Sequence, residues 1–155
     1  MAEAKTVSSM QLLLPQLAQI KQLCLDSVEL ANSYRQAGDE ASAQSVLQMA
    51  VNLGSRYSAE SPGEATISQL VGIAIERIAY GKMDPAGPYG NDGQTVQDHL
   101  TQLETQNATL RNLSQQVESL LPMLTDQDWI SYKDRWRVFG EDGAFRWVIG
   151  KYGQK

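Results

Sequence analysis

The sequence predicts an all-α fold, a compact bundle of about five helices forming a single domain over residues 1–155. Three observations predict it. Apolar residues recur at spacings of three and four along several long stretches, the period that puts them on one face of a helix. Helix start and stop signals separate these stretches, at Gly38-Asp39, Ser61-Pro62-Gly63-Glu64, Pro122 and Thr125-Asp126-Gln127-Asp128. At 155 residues and 42 % hydrophobic content, the chain is also long and apolar enough to bury a core without staples.

Residues 1–8 are small and polar and are expected to fray. From Ser9 the pattern turns helical, with Leu13, Leu17, Ile20, Cys24, Val28 and Ala31 on one face. Pro15 interrupts it. An interior proline costs about 3 kcal/mol, so either the regular helix begins there or a longer helix kinks there. Gly38 offers a left-handed stop, and Asp39 can cap the next helix. In that helix Ala43, Val46, Leu47, Ala50, Val51 and Leu53 continue the spacing to about Tyr57.

Leu30, Ala31, Tyr34, Gly38, Asp39, Ala43, Leu47 and Ala50 carry a resemblance. The stretch Leu25–Tyr57 resembles one tetratricopeptide repeat, with Ser55 where that family usually ends its second helix on proline. The physical content of the pattern is that Ala31, Ala43 and Ala50 let two backbones approach while Tyr34 and Leu47 fill the groove between them. The resemblance implies a non-catalytic protein-interaction or scaffold module. Its partner would lie on the concave face lined by the first helix of each pair, here Asn32, Arg35, Gln69 and Glu76. The rest of the chain does not repeat the unit, and solenoids need about three repeats. The hairpin is therefore read as half of a compact domain.

A third helix starts at Ser61-Pro62-Gly63-Glu64, where Ser61 caps, Pro62 takes the first helical position and Glu64 closes a capping box. It runs to Gly81. Ile67, Leu70, Val71, Ala74, Ile75 and Ile78 form a wide apolar face, expected to be the most buried in the chain and to pack on the first hairpin. Glu76 lies opposite, beside Gln69 and Gly72, and reads as a solvated edge or as a polar strip lining a groove.

Residues 81–93 form a long surface loop, punctuated by Gly81, Pro85, Gly87, Pro88, Gly90 and Gly93. Tyr89 is placed to pin it by packing. Asp84, Asn91 and Asp92 lack EF-hand spacing, and GxxxxGK[ST] is absent. From Thr95 to Leu121 a helix of roughly 40 Å follows. Its stripe of Val96, Leu100, Leu103, Asn107, Leu110, Ser114, Val117 and Leu121 is heptad-like, and Leu113 and Leu120 widen it. A widened stripe favours packing within the bundle over a homodimer seam. Pro122 ends this helix.

Residues 125–155 form an aromatic, basic cap. A short helix carries Trp129, Tyr132, Trp136 and Phe139 on one face. Gly140 stops it, Glu141-Asp142-Gly143 makes a turn, and a last helical turn or two follows. Seven of the eleven aromatic residues lie from Trp129 onward, in a stretch whose net charge of +3 stands against −8 for the remainder. Three readings of it compete: the aromatics close one end of the bundle with the basic groups against its acidic body; Trp129, Trp136 and Arg137 form a surface for a protein or peptide partner, since Trp and Arg dominate interface hot spots; or rings and basic residues bind nucleic acid by stacking, against which the acidic body weighs.

The chemistry that the sequence excludes is broad. The single Cys24 permits no internal disulfide and no cysteine-based zinc site, and its place in an apolar pattern marks a buried, inert thiol. The single His99 excludes a paired-histidine metal site and has no partner that would make it a general base. No cofactor and no metal is implied. A net charge of −5 disfavours nucleic acid and anionic membranes. No apolar run reaches about 18 residues, so no membrane insertion is expected. MAEAKTVSS has no basic region followed by an apolar one, so the default location is cytoplasmic, or extracytoplasmic if a targeting segment once preceded Met1. Two other roles stand beside the interaction module: an oligomerisation subunit using the heptad-like helix 95–121, and a small enzyme without a recognisable motif.

Overall fold

The computed structural model describes residues 2–59 and 65–153, with side chains from Pro15 onward. Among the described residues five α-helices follow one another: α1 (Ala2–Gln36), α2 (Glu40–Ser58), α3 (Thr66–Tyr80), α4 (Val96–Leu120) and α5 (Asp126–Tyr152). A single 3-10 turn, Leu121–Met123, links α4 to α5. Among the described residues the only extended pairing is a bridge between Pro88 and Thr95. The fold is the all-α bundle that the periodicity predicts.

Helix α1 departs from expectation at its start. It runs from Ala2 straight through Pro15, so residues 2–8 are helical and Pro15 does not begin the helix. Pro15 is exposed, and water can reach the carbonyl that its missing N–H leaves unpaired. Leu13 falls outside the described side chains. Leu17, Cys24, Val28 and Ala31 are buried as the spacing predicts.

The turn into α2 follows from its residues. Gly38 takes φ +80°, which glycine adopts at little cost. The N–H groups of Gly38 and Asp39 bond back to the carbonyls of Arg35 and Tyr34. The Asp39 carboxylate accepts from the Ser42 N–H at 3.0 Å, capping α2. Ala31, Ala43 and Leu47 are fully buried and Ala50 nearly so, so the hairpin closes on small residues.

Helix α3 corrects the sequence reading twice. The Ser61–Glu64 capping signature lies outside the described residues, and the helix begins at Thr66 after Ala65, which makes no side-chain capping bond. The Thr66 N–H donates to the Glu141 carboxylate of α5. A carboxylate at a helix N-terminus is favoured by the exposed N–H groups and the helix dipole.

The second correction concerns orientation. The buried face of α3 is Ser68, Gln69, Gly72, Ile73, Ile75, Glu76, Ala79 and Tyr80. Glu76 is only 6 % exposed, so it is neither a solvated edge nor a groove lining. Of the apolar face expected to be most buried, only Ile75 is fully covered; Leu70, Val71, Ala74 and Ile78 are half-buried and Ile67 is exposed. Glycine decides the matter. A Cβ on Gly72 would stand 2.3 Å from the Ser58 N and 2.6 Å from the Gly54 O, and one on Gly54 would stand 2.8 Å from the Gly72 O. The α2 and α3 backbones touch there, in the most extensive helix–helix contact of the fold. That approach exists only on the Gly72 side of α3, and it carries Gln69 and Glu76 inward.

The loop after α3 is folded rather than free. Asp84 accepts from the Ala86 N–H and Asp92 from the Gln94 N–H, while Tyr89 N bonds Gln94 O and Val96 N bonds Gly87 O. Tyr89 pins the loop by packing edge-on against Tyr80. Thr95 and Asp98 then form a reciprocal capping box that starts α4.

Helix α4 joins two hydrophobic cores. Val96, Leu100, Leu103 and Leu110 pack into the core of α1, α2 and α3. Leu113, Val117, Leu120 and Leu121 pack into a second core with Tyr132, Ala144, Phe145 and Val148 of α5. The apolar residues of the heptad-like stripe thus pack within the chain, with Val96, Leu103 and Val117 buried and the remaining positions half-buried. Helix α5 is two arms, residues 126–139 and 141–152, divided at Gly140, whose φ of +74° and ψ of −175° lie outside the helical region. The stop at Gly140 matches the sequence reading. The turn expected at Glu141-Asp142-Gly143 does not form, because those residues begin the second arm.

Candidate functional site

Because α3 turns its Gly72 side to α2, its apolar side faces a shallow groove between α1, α3 and α4. Lys21, Ala74, Arg77, Ile78, Leu100 and Glu104 line a space of about 390 Å³. Ala74, Ile78 and Leu100 make its floor and charged groups its rim. Arg77 reaches Glu104 at 3.5 Å, both side chains well exposed, and such a pair contributes little stability. No ion-pair partner for Lys21 occurs among the described residues. The groove offers apolar contact with two cations, Lys21 and Arg77, and one carboxylate, Glu104, at its edge.

On the inward side of α3 lies a polar cluster. The Ser58 hydroxyl donates to Glu76, and the Gln106 amide donates to the Ser58 carbonyl at 3.0 Å. Burial pushes the Glu76 carboxyl up, partly offset by the Ser58 hydrogen bond and by nearby His99. Tyr80 stacks on His99 with ring centres 5.4 Å apart, and Tyr89 meets both rings edge-on. His99 Nε2 has no hydrogen-bond partner and sits 3.9 Å from Asp92 Oδ2. Burial raises both tyrosine hydroxyls above their ordinary value. The cluster ties the end of α2, the middle of α3 and the loop to α4. Glu76, with its carboxyl covered and bonded, acts there as a structural acceptor.

The second core is built from rings. Trp129, Tyr132, Trp136 and Phe145 follow one another edge-to-face at 5.6–6.0 Å, a favoured geometry for aromatic pairs. The Arg135 guanidinium and the Lys151 ammonium each lie over the Trp147 ring, 5.3 and 5.4 Å from its centre. Asp128, at the start of the first arm, accepts from Lys151 and Tyr152 at the end of the second. It also completes a capping box with Thr125. Lys151 first, then Thr125 and Tyr152, hold its carboxyl well below the usual range. The same contacts raise Lys151 and Tyr152.

The chain matches no family model, no curated protein and no solved structure.

The candidate partner residues scatter over this frame. Asn32 is exposed on α1. Arg35 is engaged with Glu40 across the hairpin turn at 3.0–3.3 Å. Gln69 and Glu76 are buried against α2, and the Gln69 Oε1 has no hydrogen-bond partner. They are corrected from a surface to an interior position, for the glycine contact given above. Trp129 and Trp136 belong to one aromatic chain, Trp129 partly exposed and Trp136 half-buried. Arg137 is 78 % exposed and lies 3.7 Å from Asp134.

Of the groove residues, Lys21 has no signal in the sequence, and Ala74, Ile78 and Leu100 read there as packed faces and not as a groove. The available signal was Arg77, a cation bordering an otherwise apolar helix face. Nothing in the sequence pairs Asp128 with Lys151, 23 residues on. Among the described residues no three His, Cys, Asp or Glu side chains gather around a common point that could hold a metal ion. Nor is any described helix long and apolar enough to cross a membrane.

Proposed function

We propose that the chain is a non-catalytic protein-interaction module whose partner enters the groove between α1, α3 and α4. The observation that carries this reading is the half-open apolar face of α3 over that groove. A helix whose richest apolar face is not turned to the main helix contact has surface left for a partner. Lys21, Ala74, Arg77 and Ile78 of the groove lie on α1 and α3, the first helices of the two pairs, where a tetratricopeptide-like hairpin would present its concave face; Leu100 and Glu104 come from α4. Its occupant is a segment of another protein with apolar side chains beside an acidic one. Ala74, Ile78 and Leu100 take the apolar groups. Lys21 and Arg77 take the acid, Arg77 by leaving an exposed ion pair of little value.

The test places a photo-cross-linking side chain at Ala74 in host cells and maps the captured segment by mass spectrometry. A synthetic peptide of that segment is then titrated against the purified chain. The expected result is an acidic, apolar segment whose affinity falls at least about tenfold for Ala74→Arg and for Lys21→Glu with Arg77→Glu. A peptide that binds all these proteins equally, or no adduct specific to position 74, overturns the reading.

A further inference from the structure

Among the exposed large apolar side chains, two sets away from the groove stand beside exposed charged residues. On α1 they are Leu23, 54 % exposed, and Leu30, 48 % exposed, with Asp26 and Glu29 exposed beside them. On the first arm of α5 they are Ile130, 55 % exposed, and Val138, 68 % exposed, with Trp129 at the edge and Lys133 and Arg137 alongside. Each set recurs at helical spacing on an outward face: Leu23, Asp26 and Leu30 on one, Ile130, Lys133 and Arg137 on the other.

The two faces complement one another. Both mix aliphatic side chains with charge, and the prevailing charges are opposite: on α5 Lys133 and Arg137 outnumber the one exposed carboxylate, Asp134, between Ile130 and Val138. Asp26 and Glu29 are three residues apart, Lys133 and Arg137 four, so the Cβ atoms of each pair lie about 5–6 Å apart along its helix. Asp26, Glu29 and Lys133 have no ion-pair partner among the described residues, and Arg137 meets only exposed Asp134. The asymmetry of net charge between the C-terminal segment and the rest of the chain has the same sign as these local faces.

We propose that the occupant of the basic α5 face is a second copy of this chain, docked through its acidic α1 face. Ile130 and Val138 pack against Leu23 and Leu30, and Lys133 and Arg137 meet Asp26 and Glu29. The two surfaces are different patches of one molecule, so the contact is heterologous and propagates head to tail instead of closing as a two-fold dimer. One pair of helix faces buries less than a standard stable interface, so the association is weak and transient. None of its residues lines the groove, so this proposal and the proposed function stand or fall separately.

Sedimentation velocity of the full chain from about 10 µM to about 1 mM, at low and high salt, tests it. The expected result is an average mass that rises with concentration past that of a dimer and falls as salt is added. Lys133→Glu with Arg137→Glu stays monomeric, as does Asp26→Lys with Glu29→Lys. Mixing the two variants, or combining all four changes in one chain, restores association. Circular dichroism of each variant checks the helices, and the restored mixture shows that neither failed through misfolding. A wild-type chain that stays monomeric overturns the proposal, including one that sediments instead with phosphatidylserine vesicles. So does association that stops at a dimer or survives the charge reversals.

Discussion

The two cores of this molecule are held together in different ways. The N-terminal core is closed by small residues and backbone: Ala31, Ala43 and Ala50 in the first hairpin, Gly54 against Gly72 between α2 and α3. The C-terminal core is closed by large rings and one carboxylate, with Trp129, Tyr132, Trp136 and Phe145 in series and Asp128 holding Lys151 and Tyr152. Backbone contact fixes orientation with no slack, since protein interiors pack as tightly as organic crystals. Side-chain contact tolerates adjustment, because rings and long chains can shift. The difference explains why one helix face, that of Gly72, sets where the whole apolar side of α3 ends up.

Glycine substitutions break the comparison most sharply. Gly72→Ala pushes a methyl into the backbone of α2, and is expected to cost about 3 kcal/mol or more in urea denaturation, or to abolish folding. Glu141→Ala comes next. It removes the acceptor of the Thr66 N–H and loosens the link between the two cores, with an expected loss of about 1–2 kcal/mol.

Two of the buried carboxylates, Glu76 and Asp128, titrate with opposite sign. Burial raises Glu76, so its contribution to stability increases as pH falls from that raised value to the ordinary 4.5. Asp128 is lowered, so its contribution is present above the ordinary 3.8 and is lost as pH drops through the lowered value. Glu76→Gln is therefore expected to be at least as stable as the wild type near neutral pH, with the wild type gaining on it toward pH 4.5. Chemical denaturation at several pH values reads this out. A wild type that loses ground to Glu76→Gln on acidification contradicts it.

The smallest effect is expected at Gly150, in the second arm of α5. A Cβ there would meet nothing within 4 Å. Gly150→Ala is expected to be neutral or to stabilise by up to about 1 kcal/mol, because alanine is the better helix former, against the large loss at Gly72. A loss at Gly150 as large as that at Gly72 would remove the contrast between glycines that close a backbone contact and those that do not.

Much of this fold can be read in local patterns. The Gly38-Asp39 turn, the two capping boxes at Thr95 and Thr125, the pinning role of Tyr89 and the stop at Gly140 all follow from the chemistry of a few adjacent residues. The α4 stripe is legible for the same reason, although which core each leucine joins is not. The orientation of α3 was misread because apolar area counts side chains, whereas the contact that decides it comes from two residues without any. Residues bonded across the chain, such as Glu141 to Thr66 and Asp128 to Lys151, leave no mark on local spacing. The groove was misplaced with α3: Gln69 and Glu76 were assigned to the surface, while Ala74 and Ile78 line it.

The orientation of α3 is the claim on which the groove depends, and thiol labelling tests it directly. Cys24 is fully buried and burial raises its pKa, so the wild-type chain gives a low background. Single cysteines are introduced at Ile67, Ala74, Gln69 and Glu76, and labelling rates are measured under native conditions. Cysteines at positions 67 and 74 are expected to react within about tenfold of one at exposed Ser33, and those at 69 and 76 at least about 100-fold more slowly. Fast labelling at positions 69 and 76 with protection at 67 and 74 would contradict the account.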